Sequence, residues 1–305
     1  MTELDHIVLN FSPNSLKLLN IVLGFVMFGV ALDIKPEDFR NIWSFPKSAL
    51  LGFFNQYLLF PALTFGLIWI ATPPSSIALG LLLVAACPGG NMSNFLTHLS
   101  KGNTALSVCL TAFSTVGSIL MTPFLFGFWS GLYAPARDLL HAISIDPLEM
   151  IGSILLLLGI PIVLGMTLAA KFPQAVARVR KPIRRLSLLI FIVFLVGAFA
   201  ANWNTFLQVI GVFFGLILIH NLLALLSGYF SARALGITEA DRRAVAIEIA
   251  IHNTGLGLIL VFTFFKGLGG MALVAAWWGI WDLIVGLALA WWWSRRIPEP
   301  TQAAR

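Results

Sequence analysis

The sequence predicts an all-helical protein embedded in a membrane, with nine spans arranged as an inverted-topology repeat. Three observations carry this prediction. Of the 305 residues, 59% are hydrophobic and only 10% are charged, whereas an ordinary soluble domain has roughly a quarter of its residues charged. Apolar stretches of the roughly 20 residues needed to cross a hydrocarbon core of about 30 Å follow one another almost without interruption. Basic residues gather in alternate connections, as they do on the cytoplasmic side of a membrane protein.

The first span is Leu16–Leu32. The segment before it, Met1 to Ser15, carries Glu3 and Asp5 and no early basic residue. It does not resemble the start of a cleaved signal peptide, so the first helix is expected to insert and stay. A connection with Lys35, Arg40 and Lys47 leads to Phe45–Ala71, and then to Ser76–Leu99. Lys101 precedes Asn103–Trp129, and Pro147–Ala170 is the fifth span. Lys171, Arg178, Arg180, Lys181, Arg184 and Arg185 separate it from Leu186–Ala201. Phe206–Ala232 follows, then Arg233, Arg242 and Arg243 at the start of Arg243–Phe265, and finally Met271–Ser294 with Arg295, Arg296 and Arg305 behind it. Of the 19 Lys and Arg, only Lys17, Arg137 and Lys266 fall on the opposite side. Nine spans with the N-terminus outside and the C-terminus in the cytoplasm satisfy this alternation, and eight would scramble it. Trp43, Trp69, Trp129, Trp203 and the run Trp291 to Trp293 lie near span ends, where interfacial anchors are expected. Cys87 and Cys109 sit inside apolar segments and indicate no disulfide framework. The net charge of +6 reflects these loops rather than a basic face, which excludes nucleic acid as the expected partner.

Residues 16–130 and 186–294 read as two copies of one four-helix plan within a single membrane unit spanning 1–305. The linking helix 147–170 makes the copies enter from opposite sides. The third helix of each copy is interrupted, by Cys87-Pro88-Gly89-Gly90 in the first and by His252 to Gly257 in the second. Nearly equal intervals separate Leu16 from Pro88 and Leu186 from Gly255. Proline removes a backbone donor and glycine tolerates non-helical angles, so backbone groups are freed at membrane depth. Lipid permits this only where protein or water surrounds the break. Matching interruptions in inverted repeats point to a transporter's binding site, with half-helix N-termini attracting anions and freed carbonyls holding cations. The bland alternative is a proline kink in a structural helix.

Polar residues cluster at both breaks: Asn91, Ser93 and Asn94 at the first, and Glu248, His252, Asn253 and Thr254 at the second. An ionisable group at that depth is costly and usually functional. Glu248 precedes His252 by one helical turn, which would place both on one face. Ser107 and Thr111 share a face in the fourth span, with Ser114 and Thr115 beyond. Carboxylate, amide and hydroxyl oxygens suit a hard cation such as sodium, although Ser and Thr also bond back to their own helix. His220 and Asn221 mirror Asn55 and Gln56, and read equally as packing residues or as part of the site.

At these residues the chain resembles the bile acid:sodium symporter family, in its nine-helix form. The resemblance rests on the run Cys87 to Asn94, on Lys101 to Ser107 and on Glu248 to Gly255, with Met27 to Phe39 and Phe45 to Gln56 in agreement. It covers essentially the whole chain. It implies one sodium site from Ser93, Asn94, Ser107, Thr111 and Glu248. A second would use Gln56, Glu248, carbonyls near Ile249 and Ile251, and a side-chain amide at position 252, where this chain has His252 instead. Asn91, Met92, Asn253, Thr254 and Asp282 are assigned to the substrate, Asp282 standing where an uncharged polar residue is expected.

Histidine titrates near pH 6.5 as a free side chain. If protonated, His252 would act as a built-in cation in the second site, with Glu248 and Asp282 stabilising the charged ring, and this is the favoured expectation. If it is neutral and merely packs, the second site is absent. The implied function is sodium-coupled symport of an organic anion, bile-salt-like or a small carboxylate, in a cell's inner (plasma) membrane. Core helices would move against a panel formed by the first, fifth and sixth spans. A proton-coupled or passive organic-anion carrier is the alternative. A channel would need a continuous polar pore, whereas the polar groups here cluster at one depth. An intramembrane enzyme would need a nucleophile elbow or zinc spacing, and His98, His141, His220 and His252 are scattered. Sodium is the only cofactor expected, beside lipid and the organic anion as partners, and no obligate protein partner is evident.

Overall fold

The computed structural model describes residues 13–32, 34, 36–90, 92–143, 147–201 and 203–296. Asn91, most of the Met1 to Ser15 segment and Arg305 lie outside the described residues. Among these residues the regular structure is helical, and the one β-type pairing is an isolated bridge discussed below.

Helix α1 (Pro13–Ala31) is followed by α2 (Pro36–Asn41), whose Glu37 and Asp38 lie in its first turn and Arg40 in its last, as the helix dipole favours. Next come α3 (Pro46–Phe54) and α4 (Phe60–Ala71), which form one continuous rod joined by a π turn over Asn55–Leu59. Pro61 explains the turn: it has no N–H to give the preceding turn, and a wider i→i+5 bond from Phe60 N–H to Asn55 O absorbs the mismatch. Helix α5 (Ser75–Ala86), α6 (Met92–Leu99) and α7 (Thr104–Leu132, N-capped by Asn103) complete the first half. After α8 (Arg137–Ile143), α9 (Pro147–Ile154) and α10 (Ile160–Lys171) repeat the π-turn device over Leu155–Gly159, again just before a proline, Pro161.

Helix α11 (Pro173–Ala201) departs from the sequence reading: the basic stretch from Arg178 to Arg185 is helical and continuous with the expected sixth span. Lys and Arg are good helix formers, and Pro182 is accommodated within the helix rather than ending it. Helix α12 (Trp203–Ala234) leads to α13 (Glu239–Ala250), then α14 (Thr254–Phe264) and α15 (Gly269–Ser294). Helix α13 begins earlier than expected because Thr238 caps it through the Asp241 N–H.

Five helical stretches among the described residues are long and apolar enough to cross a membrane: Pro46–Ala71, Thr104–Leu132, Ile151–Lys171, Phe213–Ala234 and Gly269–Ser294. The apolar helices at Ser75–Ala86 and Thr254–Phe264 are shorter. Large hydrophobic side chains cover the outside, with Ile70 86% exposed, which fits a lipid-facing surface and not a water-facing one. The interrupted helices form the centre. Helix α5 is buried throughout and packs on α15, α7 and α4, while α13 packs on α12, α6 and α7. Helices α1, α10 and α11 pack on one another to one side, with α1 also meeting α14.

Candidate cation site where two broken helices meet

Both interruptions are real ends of helix. Helix α5 stops before Cys87 and α13 before Ile251, each of which is extended (φ −72°, ψ 151° and φ −111°, ψ 100°). The two extended segments pair with each other as an antiparallel bridge between Gly89 and His252. Gly90 N–H donates to Ile251 O at 2.8 Å and Asn253 N–H donates to Pro88 O at 2.8 Å. Glycine is needed here for close approach: a Cβ on Gly90 would lie 2.8 Å from His252 O, and one on Gly89 would run into the Glu248 carboxylate.

The other freed backbone groups are taken by side chains from four surrounding helices. Thr122 Oγ1 donates to Ala86 O at 2.7 Å and Gln56 Nε2 to Cys87 O at 2.8 Å. Asn221 Nδ2 donates to Ala250 O at 3.1 Å, and Asp282 Oδ2 accepts the His252 backbone N–H at 3.1 Å. The π turn in the α3–α4 rod includes Gln56, so the irregularity and the break it serves belong together. Thr122 left no mark in the sequence, since a lone hydroxyl in an apolar helix more often bonds to its own turn.

Against this frame the residues expected around a first cation come together. Ser93 Oγ donates to Glu248 Oε2 at 2.6 Å. Thr111 Oγ1 lies 3.0 Å from Glu248 Oε1, 2.8 Å from Oε2, 3.2 Å from Asn94 Oδ1, 3.2 Å from Ser93 Oγ and 3.0 Å from Ser107 O. Ser107 Oγ donates to Asn94 Oδ1 at 2.9 Å and faces Thr97 Oγ1 at 3.3 Å. A hydroxyl carries one proton, so Thr111 can satisfy only one of the oxygens crowded around it. Ser93, Ser107, Thr111 and Glu248 are buried, and among the described residues no basic side chain comes within ion-pair distance of Glu248. The cluster therefore holds more acceptors than protons around a buried carboxylate, an arrangement suited to a hard cation. No group of three His, Cys, Asp or Glu that could hold a metal occurs among the described residues.

The expected second site looks different. Gln56 has its amide nitrogen committed to Cys87 O and its Oε1 buried without a hydrogen-bond partner among the described residues. Ile251 O already accepts from Gly90, and Ile249 lies in the last turn of α13. His252 corrects the sequence reading. Because α13 ends at Ala250, helical spacing no longer applies and His252 does not share a helix face with Glu248. Its ring lies 5.2 Å from Phe60 and 5.8 Å from Trp278, and neither ring nitrogen has a hydrogen-bond partner among the described residues. Asp282 binds the backbone of position 252 rather than the imidazole, and also accepts from Asn221 Nδ2 at 3.3 Å. His220 lies 2.7 Å from Thr64 Oγ1 and stacks on Phe60.

The remaining expected substrate residues are dispersed around the meeting point. Met92 is half-buried against the small cluster containing Leu96, Ile247 and Ile251. Asn253 caps α14 through the Leu256 N–H and turns its Nδ2 toward Met27 Sδ of α1 at 3.7 Å. Thr254 is buried in the first turn of α14.

The profile of the Sodium Bile acid symporter family matches residues 20–209. The chain is 31% identical over 297 residues to the uncharacterized sodium-dependent transporter YocS of Bacillus subtilis, covering 96% of this chain and 89% of that one. It is 32% identical over 281 residues to the probable sodium/metabolite cotransporter BASS1, chloroplastic, of Arabidopsis thaliana, covering 91% of this chain and 67% of the relative. Similarity extends to the mouse P3 protein, at 30% over 266 residues, where the chain spans about half of the relative (53%).

Proposed function

The chain belongs to the Sodium Bile acid symporter family, a family of sodium-dependent membrane transporters and not of enzymes, and we propose that it is a symporter coupling an organic anion to sodium. The observation that carries this is the proton-poor oxygen cluster of Ser93, Asn94, Ser107, Thr111 and Glu248. Sodium would complete it: the carboxylate supplies the counter-charge, while the amide and hydroxyl oxygens replace the ion's water. The anion would bind beside it, near the N-termini of α6 and α14, where the helix dipole favours negative charge.

In this reading nine spans form an inverted repeat over residues 16–130 and 186–294, linked by 147–170. Support comes from the breaks themselves, since Gln56 serves Cys87 O in the first as Asn221 serves Ala250 O in the second. Helices α1, α10 and α11 form the panel against which the remaining helices move to alternate access, with Asn253 and Met27 at the boundary. The N-terminus lies outside and the C-terminus in the cytoplasm, in an inner (plasma) membrane. A bile-salt-like molecule or a small carboxylate is the substrate class, and similarity to a sodium-dependent transporter and to a probable sodium/metabolite cotransporter supports it. His252 places a nitrogen ring among aromatics where an amide oxygen would complete a second ion site, so one sodium per cycle is the expected coupling.

The test is uptake of labelled organic anions into proteoliposomes under inward sodium or potassium gradients. Wild type is expected to concentrate at least one anion with sodium only, and Glu248→Ala to lose that stimulation while still being purified as a folded protein. Sodium stimulation of wild-type size in Glu248→Ala overturns the reading.

A further inference from the structure

The cation cluster is assembled from three elements, α6 with Ser93 and Asn94, α7 with Ser107 and Thr111, and α13 with Glu248. The same three are tied together a second time at one end, by residues that take no part in the cluster. Asn103 Nδ2 donates to Asp241 Oδ1 at 2.8 Å, and Ser48 Oγ of α3 donates to Asp241 Oδ2 at 2.6 Å. Asn103 N–H donates to Ala240 O at 2.9 Å. Beside them, Arg243 is buried and sends Nη1 to Ser100 O just past α6 at 2.8 Å, and to Trp293 O and Arg296 O at the end of α15 at 3.2 and 3.1 Å. Its Nε bonds Glu239 at 2.9 Å.

Helical spacing connects this end to the cluster. Asp241 and Glu248 are two turns apart on one face of α13, and Asn103, Ser107 and Thr111 follow one face of α7 at single-turn intervals. The helices run side by side in the same direction with two polar rungs, Asn103 with Asp241 and Thr111 with Glu248. Helix α6 runs opposite, with Ser93 at Glu248 and Ser100 O at Arg243. A slip of one helix along another at the outer rung would displace the inner oxygens by the same amount, and an ion site tolerates errors of only about 0.5 Å.

We infer that Asn103 and Asp241, backed by Ser48 and Arg243, are positioning residues that set the register of α7 on α13 and thereby the sodium affinity of the inner cluster. This rests on the reading of that cluster as a sodium site. The clamp couples to the ion through geometry: its side chains bond to one another and to helix ends rather than to the oxygens of the cluster, and its backbone link is Ser107 N–H to Asn103 O at 3.1 Å.

The test uses the full chain, purified in detergent, with sodium-specific thermal stabilisation measured against potassium. Asn103→Asp keeps the N-cap of α7, since a carboxylate oxygen still accepts the Leu106 N–H, but sets two carboxylates against each other at the outer rung. The half-saturating sodium concentration is expected to rise at least about fivefold, the lower end of typical coupling between sites, with the saturated stabilisation retained. The double variant Asn103→Asp with Asp241→Asn exchanges donor and acceptor, and is expected to return the sodium response toward wild type. A single variant with wild-type half-saturation overturns the inference, and so does a double variant no better than the single one. A wild-type chain with no sodium-specific stabilisation fails one step earlier, against the cation reading itself, and the clamp falls with it.

Discussion

Among the charged side chains that helix α13 buries, Arg243 and Glu248 lie about 7.5 Å apart along its axis, and they are handled in opposite ways. Around Arg243 the guanidinium meets built-in acceptors: three carbonyl oxygens from the ends of other helices, which share Nη1, the Glu239 carboxylate on Nε, and the face of Trp293 at 5.5 Å. Around Glu248 there are only oxygens, Ser93, Asn94, Ser107 and Thr111, sharing a few hydroxyl protons and no cationic side chain among the described residues. A buried charge needs a counter-group. At Arg243 the chain builds it in and obtains a fixed joint. At Glu248 the chain omits it, which in the proposed function leaves the counter-charge to a dissolved cation.

The comparison breaks most plainly by removing each charge in turn. Arg243→Met leaves three carbonyls and a carboxylate without their donor, and should cost about 3–5 kcal/mol of stability, as one-sided removal from a buried charge network does. Glu248→Gln removes an unbalanced charge and adds two donors to an oxygen-rich cluster, so it should leave thermal stability in detergent unchanged or raised. It should nevertheless abolish sodium-dependent uptake. Melting temperatures of both variants, measured in potassium, decide the matter: equal losses would mean that the two sites are not opposites.

Gly89→Ala is next in size. The added methyl would meet the Glu248 carboxylate against a backbone segment pinned to His252, and overpacking of this kind costs roughly 1–3 kcal/mol. Because the obstruction falls on the carboxylate, the loss should be read in half-saturating sodium, which is expected to rise about tenfold or more. Gly236, in the turn before α13 with nothing within 4 Å of its Cβ position but a φ of +67°, is the control. There Ala should lower stability through backbone strain and leave the sodium response alone.

Thr111→Val is smaller still, since it removes one oxygen from a cluster that retains the carboxylate. Loss of a single neutral ligand should raise half-saturating sodium on the order of tenfold, and it also takes one hydroxyl proton away from the acceptors around Glu248. Unchanged sodium affinity in Thr111→Val would place the ion elsewhere on the carboxylate.

These two regions also differ in how readable they were. The apolar spans and both interruptions stand out because lipid demands long apolar runs and punishes a Pro88-Gly89-Gly90 break anywhere else. Ser107 and Thr111 show their shared face by spacing alone, and Glu248 stands out as a carboxylate within an apolar run. The Arg243 joint was hidden. Its arginine reads as one more topology-setting charge in a short connection, and its acceptors are backbone carbonyls of Ser100, Trp293 and Arg296, which carry no side-chain signature. Local cues did exist in the Thr238 to Asp241 cap and the Glu239 to Arg243 spacing, which mark a helix start four residues before the expected one. The pairing of Gly89 with His252 spans more than half of the chain, beyond any local pattern. Asp282 was visible as a misplaced acid, but a carboxylate that caps a distant backbone amide cannot be told in sequence from one that faces a substrate.

The smallest effect, and the one that sharpens the comparison furthest, is expected from His252→Gln. Apart from the hydroxyl cluster, Gln56 Oε1 at the break is buried without a hydrogen-bond partner among the described residues, and the His252 imidazole packs against Phe60 and Trp278. An imidazole nitrogen is a poor donor for sodium, whereas an amide oxygen is of the same hard type as Gln56 Oε1. Exchanging ring for amide keeps a polar side chain, leaves in place the backbone bond of position 252 to Asp282 and the bridge bonds of Ile251 and Asn253 on either side of it, and adds an amide oxygen at the break. The Hill coefficient of sodium-stimulated uptake should then rise from about one toward two, with little change in affinity for the first ion. A wild-type coefficient already near two would mean that His252 is no obstacle to a second ion. The contrast between a built-in counter-charge and a borrowed one would then extend to two borrowed cations around a single carboxylate.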